Sequence, residues 1–233
     1  MNYAIIAAGQ GSRLAQEGAN VPKPLVTLNG EPLIGRLIRI FTQNNAESIS
    51  VIVNEEAKEV RSYLESLAVD CELNVVVKTT PSSMHSFYEL SKVMKQGRFC
   101  LTTVDTVFRE DEFAEFIKIF EEQEEYDGLM AVTPFVDDEK PLYVEVDEDK
   151  NIKAFLDERV SEGLLVSGGV YALGDEAREV LADCVEKGVH RMRNYQRALL
   201  MSGLKLKAHS IDKIIDVDHV SDIASAEELL LDE

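Results

Sequence analysis

Cations are in short supply in this chain. Across 233 residues, 24 lysines and arginines stand against 43 aspartates and glutamates, for a formal net charge of −19. A surface built to hold a polynucleotide carries the opposite bias, which argues against a nucleic-acid partner. Any anionic ligand must instead be met by a few basic groups concentrated locally. Cysteine is sparse as well. Cys71, Cys100 and Cys184 are odd in number, far apart and without a CxxC pair, so neither a zinc site nor a disulfide framework is expected. Cys100, inside "RFCLTTV", reads as a small buried side chain. The four histidines (85, 190, 209 and 219) form no HExxH or similar cluster and read as surface or satisfied core residues. No apolar run reaches the roughly 20 residues of a membrane span, and the N-terminus lacks the basic stretch of a signal peptide. The expectation is a cytoplasmic protein with no membrane partner.

What is present is ordinary for a globular protein: 45% hydrophobic and 29% charged residues, with enough length for one large domain. Short apolar runs alternate with amphipathic stretches. "YAIIAAG", "SISVIVN", "LNVVVKTT", "RFCLTTVD" and "DGLMAVTPF" read as strands, and the segments between them carry helical spacing. In "EPLIGRLIRIFTQNN" the apolar residues Leu33, Leu37, Ile40 and Phe41 recur at that spacing, with Pro32 in the first turn. Beyond about residue 133 the pattern changes. "PLYVEVDEDKNIKAFL" alternates like a hairpin turning at "DEDKN", "GLLVSGGVYAL" reads as a strand broken at Gly168–Gly169, and "SDIASAEELLLDE" reads as a closing helix capped by Ser221. Together these predict a single α/β domain over 1–233. It is a three-layer α/β/α, Rossmann-like architecture with a mixed, mostly parallel sheet and antiparallel strands added in the second half.

The densest stretch is "GQGSRL", directly after the first strand. Three phosphate-binding turns compete for it. A P-loop requires GxxxxGK[ST], and no such spacing or lysine follows. A dinucleotide fingerprint requires GxGxxG, but Leu14 stands where the third glycine belongs, a polar loop is expected in place of a continuing helix, and the second strand ends in Asn54, not an acid. The third option draws on "PKPL" (22–25) and "VTLNGEPLIGRLI" downstream.

"AAGQGSRL" followed by "PKPL" resembles the signature of the sugar-phosphate nucleotidyltransferase family, within the NTP-transferase superfamily. "LTTVDTVF", "SGGVYAL" and "IIDVDHVSDIASAEELL" resemble later landmarks of that family in the same order, so the resemblance covers nearly the whole chain. Val104 departs from it, standing where glycine is common. The resemblance implies a nucleotide-binding half up to about residue 133 and an acceptor-binding, closing half from about 134 to 233. It also implies transfer of a nucleotidyl group from a nucleoside triphosphate to a sugar 1-phosphate or similar phosphomonoester, with release of pyrophosphate.

Such chemistry needs positioning and charge stabilisation more than a base, because the attacking phosphate is already an anion. Gly9, Gln10, Gly11 and Ser12 suit backbone contacts to phosphate oxygens, with Ala8 near the base and ribose. By resemblance, Arg13 is a forked cation for the β- and γ-phosphates, and Lys23, stiffened by Pro22 and Pro24, a point charge for the α-phosphate. A triphosphate calls for Mg²⁺ held by one or two carboxylates. Asp105 at a strand end is one candidate. Asp216 and Asp218 are the others, since strand alternation sends both side chains the same way; the resemblance to the family's closing element makes Asp218 the preferred ligand and Asp216 a support. Asp222 suits a capping role better than a metal role.

"TTPSSMHS" (79–86) occupies the base-recognition segment, with Ser82, Ser83 and His85 as candidate contacts and an N-cap as the plainer alternative. For the acceptor, the resemblance points to Gly169, Tyr171 and Arg159. His190, Arg191 and Arg193 form a concentrated basic patch, either a second anion site or a solvated helix start. Two other function classes stay open: a glycosyltransferase of related fold using "DVD" as its metal motif, and a nucleotide-binding regulator without turnover. A homo-oligomer is compatible with the sequence.

Overall fold

In the computed structural model, residues 1–136 and 140–231 are described. The chain opens with β1 (Asn2–Ala7), buried along its whole length. A glycine turn leads into the short helix α1 (Ser12–Gln16), and a single 3-10 turn follows at Lys23–Leu25. The hairpin β2 (Thr27–Leu28) and β3 (Glu31–Pro32) precedes α2 (Leu33–Gln43). The alternation then runs β4 (Ser48–Val53), α3 (Lys58–Ser66), β5 (Glu72–Val77), α4 (Ser83–Ser91), β6 (Phe99–Thr103), β7 (Thr106–Val107), α5 (Glu110–Glu122) and β8 (Gly128–Thr133). The second half supplies β9 (Tyr143–Val146), β10 (Ile152–Leu156), β11 (Leu165–Leu173), α6 (Glu176–Glu186), α7 (Met192–Met201), β12 (Leu206–Ser210), β13 (Ile215–Asp216) and α8 (Val220–Leu231).

A nine-stranded mixed sheet forms the middle layer. Strands β6, β1, β4 and β5 lie side by side in parallel, and β8 pairs in parallel with β12. Between these two blocks runs β11, antiparallel to both β6 and β8. The β9–β10 hairpin attaches to the first part of β11. The expected mostly parallel sheet with later antiparallel additions is therefore present. The neighbour of β6 is nonetheless the late strand β11, a long-range pairing that local periodicity does not encode. The strand is also continuous across Gly168–Gly169: a register shift between Ser167 and Tyr171 absorbs the irregularity as a bulge.

Strand alternation in β1 explains the layers. Tyr3, Ile5 and Ala7 face a core shared with α2, α3, α5 and α8, whereas Ala4 and Ile6 face a second core shared with α4, α6 and α7. The first core holds a run of stacked rings, with Tyr3 on Phe41 at 4.3 Å between centroids and Phe108 on Phe113 at 4.8 Å. Cys100 is fully buried in the first core, as its apolar run implies, and Cys184 is buried in the second. Among the described residues no helix is long and apolar enough to cross a membrane.

Two local expectations change. Gly11 adopts the left-handed conformation (φ 57, ψ 32) and turns the chain at once into α1, where a polar loop was expected. The N-terminus of α8 is not capped by Ser221, which lies inside its first turn and donates to Asp222. Glu17 reaches across from the end of α1 and accepts from the Val220 amide instead.

Candidate active site

The carboxyl ends of β1, β4 and β6 open onto a cleft of about 540 Å³ bounded by the glycine turn, Lys23, Asp105 and Asp218. Ala8, Gly9, Gln10, Gly11, Ser12 and Arg13 all line it, as do Ser82 and Ser83. The first amides of a helix have no intrahelical partners, so those at the start of α1 are available to an anion. A Cβ on Gly9 would meet nothing within 4 Å, whereas one on Gly11 would stand 2.8 Å from the Lys23 Cβ. The turn and "PKPL" are thus built against each other.

Lys23 is the hub. Its ammonium pairs with Asp105 and, at 2.6 Å, with Asp218. Arg13 reaches the other oxygen of Asp218 at 2.9 Å. Burial works against the lysine's charge, but the two carboxylates outweigh it and raise its pKa above the ordinary value. Asp105 and Asp218 come from distant parts of the chain. The small ribbon of β7 and β13 joins them, with Ile215 opposite Val107 and the Val217 amide donating to the Asp105 carbonyl. Asp222 fixes the following turn by accepting from the Asp218 and His219 amides, in line with its expected capping role.

Asp216 sits apart from this pair. Its carboxylate accepts from Thr106 Oγ1 at 3.0 Å and lines an adjoining cavity of about 110 Å³ that also touches Arg13, Asp218, Ser167 and Gly168. Surrounding protein, then the Asp105 charge, push its pKa up to about 7. The side chain still opens on water in the cavity, which tempers the effect of burial. Among the described residues, no group of three or more His, Cys, Asp or Glu is arranged around one point for a metal. The three acids expected together therefore resolve into a pair on Lys23 and a neighbour behind it.

Other candidates lie elsewhere. His85 shares a 2.8 Å hydrogen bond between its Nδ1 and Ser82 Oγ, so the Ser82 hydroxyl does not cap α4. Gly169 (φ 75) lies behind the ribbon, where a Cβ would stand 3.2 Å from Thr106 Oγ1. Tyr171 is not brought to the cleft; it is buried in the second core, its hydroxyl accepting from Gln196. Arg159 joins His190, Arg191 and Arg193 around a separate pocket. Asn54 was considered only as a missing acid, yet it lines the cleft and ties its edges together, donating to the Ala8 carbonyl and accepting from Thr79. Its position at a strand's carboxyl end was the available signal.

Residues 3–185 match the model of the MobA-like NTP transferase domain. The chain belongs to this family. This agrees with the resemblance drawn from GxGxR and PKPL. The bifunctional IPC transferase and DIPP synthase of Thermococcus kodakarensis is 25% identical over 236 residues, covering 97% of this chain and 50% of that protein. The 2-aminoethylphosphonate cytidylyltransferase of Lancefieldella rimae is 32% identical over 114 residues, covering 47% of this chain and 45% of that one. The chain thus spans about half the length of these curated relatives. The solved inositol-1-phosphate CTP transferase from T. maritima superposes with a TM-score of 0.80 at 18% identity, covering 98% of this chain and 95% of that one. That likeness establishes the shared Rossmann-like fold.

Proposed function

We propose that this domain moves a nucleotidyl group from a nucleoside triphosphate to a small phosphate- or phosphonate-bearing acceptor, releasing pyrophosphate. The meeting of Lys23 with Asp105 and Asp218 beside the glycine turn carries the reading. An acceptor oxygen attacks the α-phosphorus, the bond to the bridging oxygen of the β-phosphate breaks, and pyrophosphate leaves with that electron pair. The acceptor is already anionic, so no side chain removes a proton. The amides of Gly9, Gln10, Gly11 and Ser12 hold phosphate oxygens, and Ala8 borders the nucleoside, with Ser82 and Ser83 toward the base. Lys23 concentrates positive charge at the α-phosphate, and Arg13 meets the β- and γ-phosphates as negative charge grows on the leaving group.

The donor set suits Mg²⁺: two carboxylates converge on one ammonium, and phosphate oxygens and water supply the remaining positions. Asp105 and Asp218 are the residues that would hold the ion, with Asp216 in support; when bound, it neutralises triphosphate charge. The cavity between Arg13, Asp216 and Gly168 offers the acceptor its approach, which divides labour between a nucleotide half up to about 133 and a second half beyond. Relatives named for cytidylyl or CTP transfer make CTP the first nucleotide to assay.

A thermal-shift screen of the four nucleoside triphosphates with Mg²⁺ tests the reading. One of them stabilises the wild type and loses that effect in Arg13→Ala. Equal shifts in both proteins, or none with any triphosphate, would count against it.

A further inference from the structure

We infer that the pocket between the segment 140–143, the turn 157–159 and the start of α7 is a second anion-binding site, one that takes a phosphate or phosphonate group. In a chain of net charge −19, this pocket of about 670 Å³ gathers Arg159, Arg191, Arg193 and Arg197 beside His190 and Lys140, with Asp157 and Glu158 the acids among its described lining residues. It shares no lining residue with the Lys23 cleft or with the cavity at Asp216.

The cations are held in place. Asp157 receives Arg193 at 2.7 Å on one oxygen and Arg197 at 2.9 Å on the other, so one acid orients two guanidiniums. Arg193 also donates to the Lys140 carbonyl, and Arg197 to the Phe155 carbonyl. Arg159 and Arg191 come from the two facing sides and have no carboxylate partner among the described residues. Several planar forks around one space suit a tetrahedral dianion, which accepts bidentate hydrogen bonds from more than one side.

Two further features lower stability until an anion arrives. The first turn of α7 has no acid, and basic side chains stand at the positive end of the helix dipole. Arg191 itself holds φ 73, a backbone conformation that glycine adopts far more readily. Side chains at the start of α7 also contact residues beside the main site. The His190 ring lies 5.3 Å from that of His85, which bonds Ser82, and Ser167, at the Asp216 cavity, donates to Gln196 on α7. The group bound here is either a distal anion of the acceptor or a free phosphate.

Titration of the full chain with inorganic phosphate, followed by amide NMR, tests this assignment. Saturable shifts are expected at residues 191–194, with affinity lowered about tenfold in Arg191→Gly and in Arg159→Ala. Arg191→Gly relieves the backbone and is expected to unfold no earlier than wild type in phosphate-free buffer, and Arg159 is exposed, so lost binding will not reflect lost folding. Shifts confined to the 9–12 turn, or unchanged affinity in both variants, would overturn the assignment. Phosphate bound at 191–194 that raises the acceptor KM marks an acceptor subsite; phosphate that leaves it unchanged marks a free-anion site. Shifts at 191–194 without any turnover would uphold this pocket while removing the transferase reading.

Discussion

Gly11 and Lys23 touch: a Cβ on Gly11 would stand 2.8 Å from the Cβ of Lys23, and Gly11 already holds a positive φ of 57. The two halves of the sequence signature are thus one packed unit, with the glycine letting the lysine lie flat against the turn. Gly11→Ala should be strained and should displace Lys23, lowering stability by about 1 kcal/mol and nucleotidyl transfer by at least roughly tenfold. Gly9→Ala, with open space around it, should fold as wild type does. Steady-state rates and thermal melts of the pair check the contrast.

Lys23 also keeps Asp105 and Asp218 together. Its side chain is only 9% exposed, so Lys23→Ala leaves Asp105 facing Asp218 without its cation, and Asp218 with Arg13 alone. A loss of about 1–3 kcal/mol is expected in metal-free buffer. Lys23→Ala with Asp105→Asn should recover part of it, because the repulsion is removed. A double-mutant cycle by denaturant unfolding reads the coupling.

The Arg39–Glu110 pair sets an acid limit on stability. Arg39 holds both oxygens of Glu110, at 2.7 and 2.8 Å. That hydrogen bonding, against opposing burial, lowers the Glu110 pKa below the ordinary 4.5. A depressed carboxylate contributes stability that is present above its unfolded value and is lost as pH falls through its folded value. Unfolding free energy should therefore drop below about pH 4.5, and Glu110→Gln should flatten that drop while lowering stability at pH 7. Parallel curves for the two proteins would remove the pair from the account.

Phe41 anchors the first core, fully buried and stacked between Tyr3 and Phe113. Phe41→Ala should cost about 3–5 kcal/mol, measured by urea unfolding. It should leave nucleotide affinity unchanged in the protein that remains folded, since the ring lies on the far face of β1 from α4.

Much of this was legible in the sequence, and the residues that were not share a cause. Strands β1, β4, β5, β6 and β8 announce themselves by apolar runs, and Gly11, Lys23, Asp105 and Asp218 by their resemblance to the landmarks of a known family. The insertion of β11 between β6 and β8, and the ribbon that seats Val217 on Asp105, depend on contacts between residues far apart in the chain, which periodicity does not carry. Alternation was expected to send Asp216 and Asp218 the same way, but β13 ends at Asp216 and the Asp218 amide turns back onto its carbonyl, so the two carboxylates part. The resemblance offered Tyr171 as an acceptor contact, yet its place on β11 points it into the core toward Gln196. Glu17, which caps α8 from α1, left no sequence signal, because its partner amide lies at the other end of the chain.

The central claim is that Lys23, seated on Gly11 between Asp105 and Asp218, drives transfer at the α-phosphate. Pyrophosphate release from CTP and the other triphosphates, with Mg²⁺ and a panel of small phosphate and phosphonate acceptors, tests it most directly. The account predicts release with at least one pair in the wild type, abolished by chelating the metal and lowered by at least about 10²-fold in Lys23→Ala. Release that persists undiminished in Lys23→Ala would contradict it.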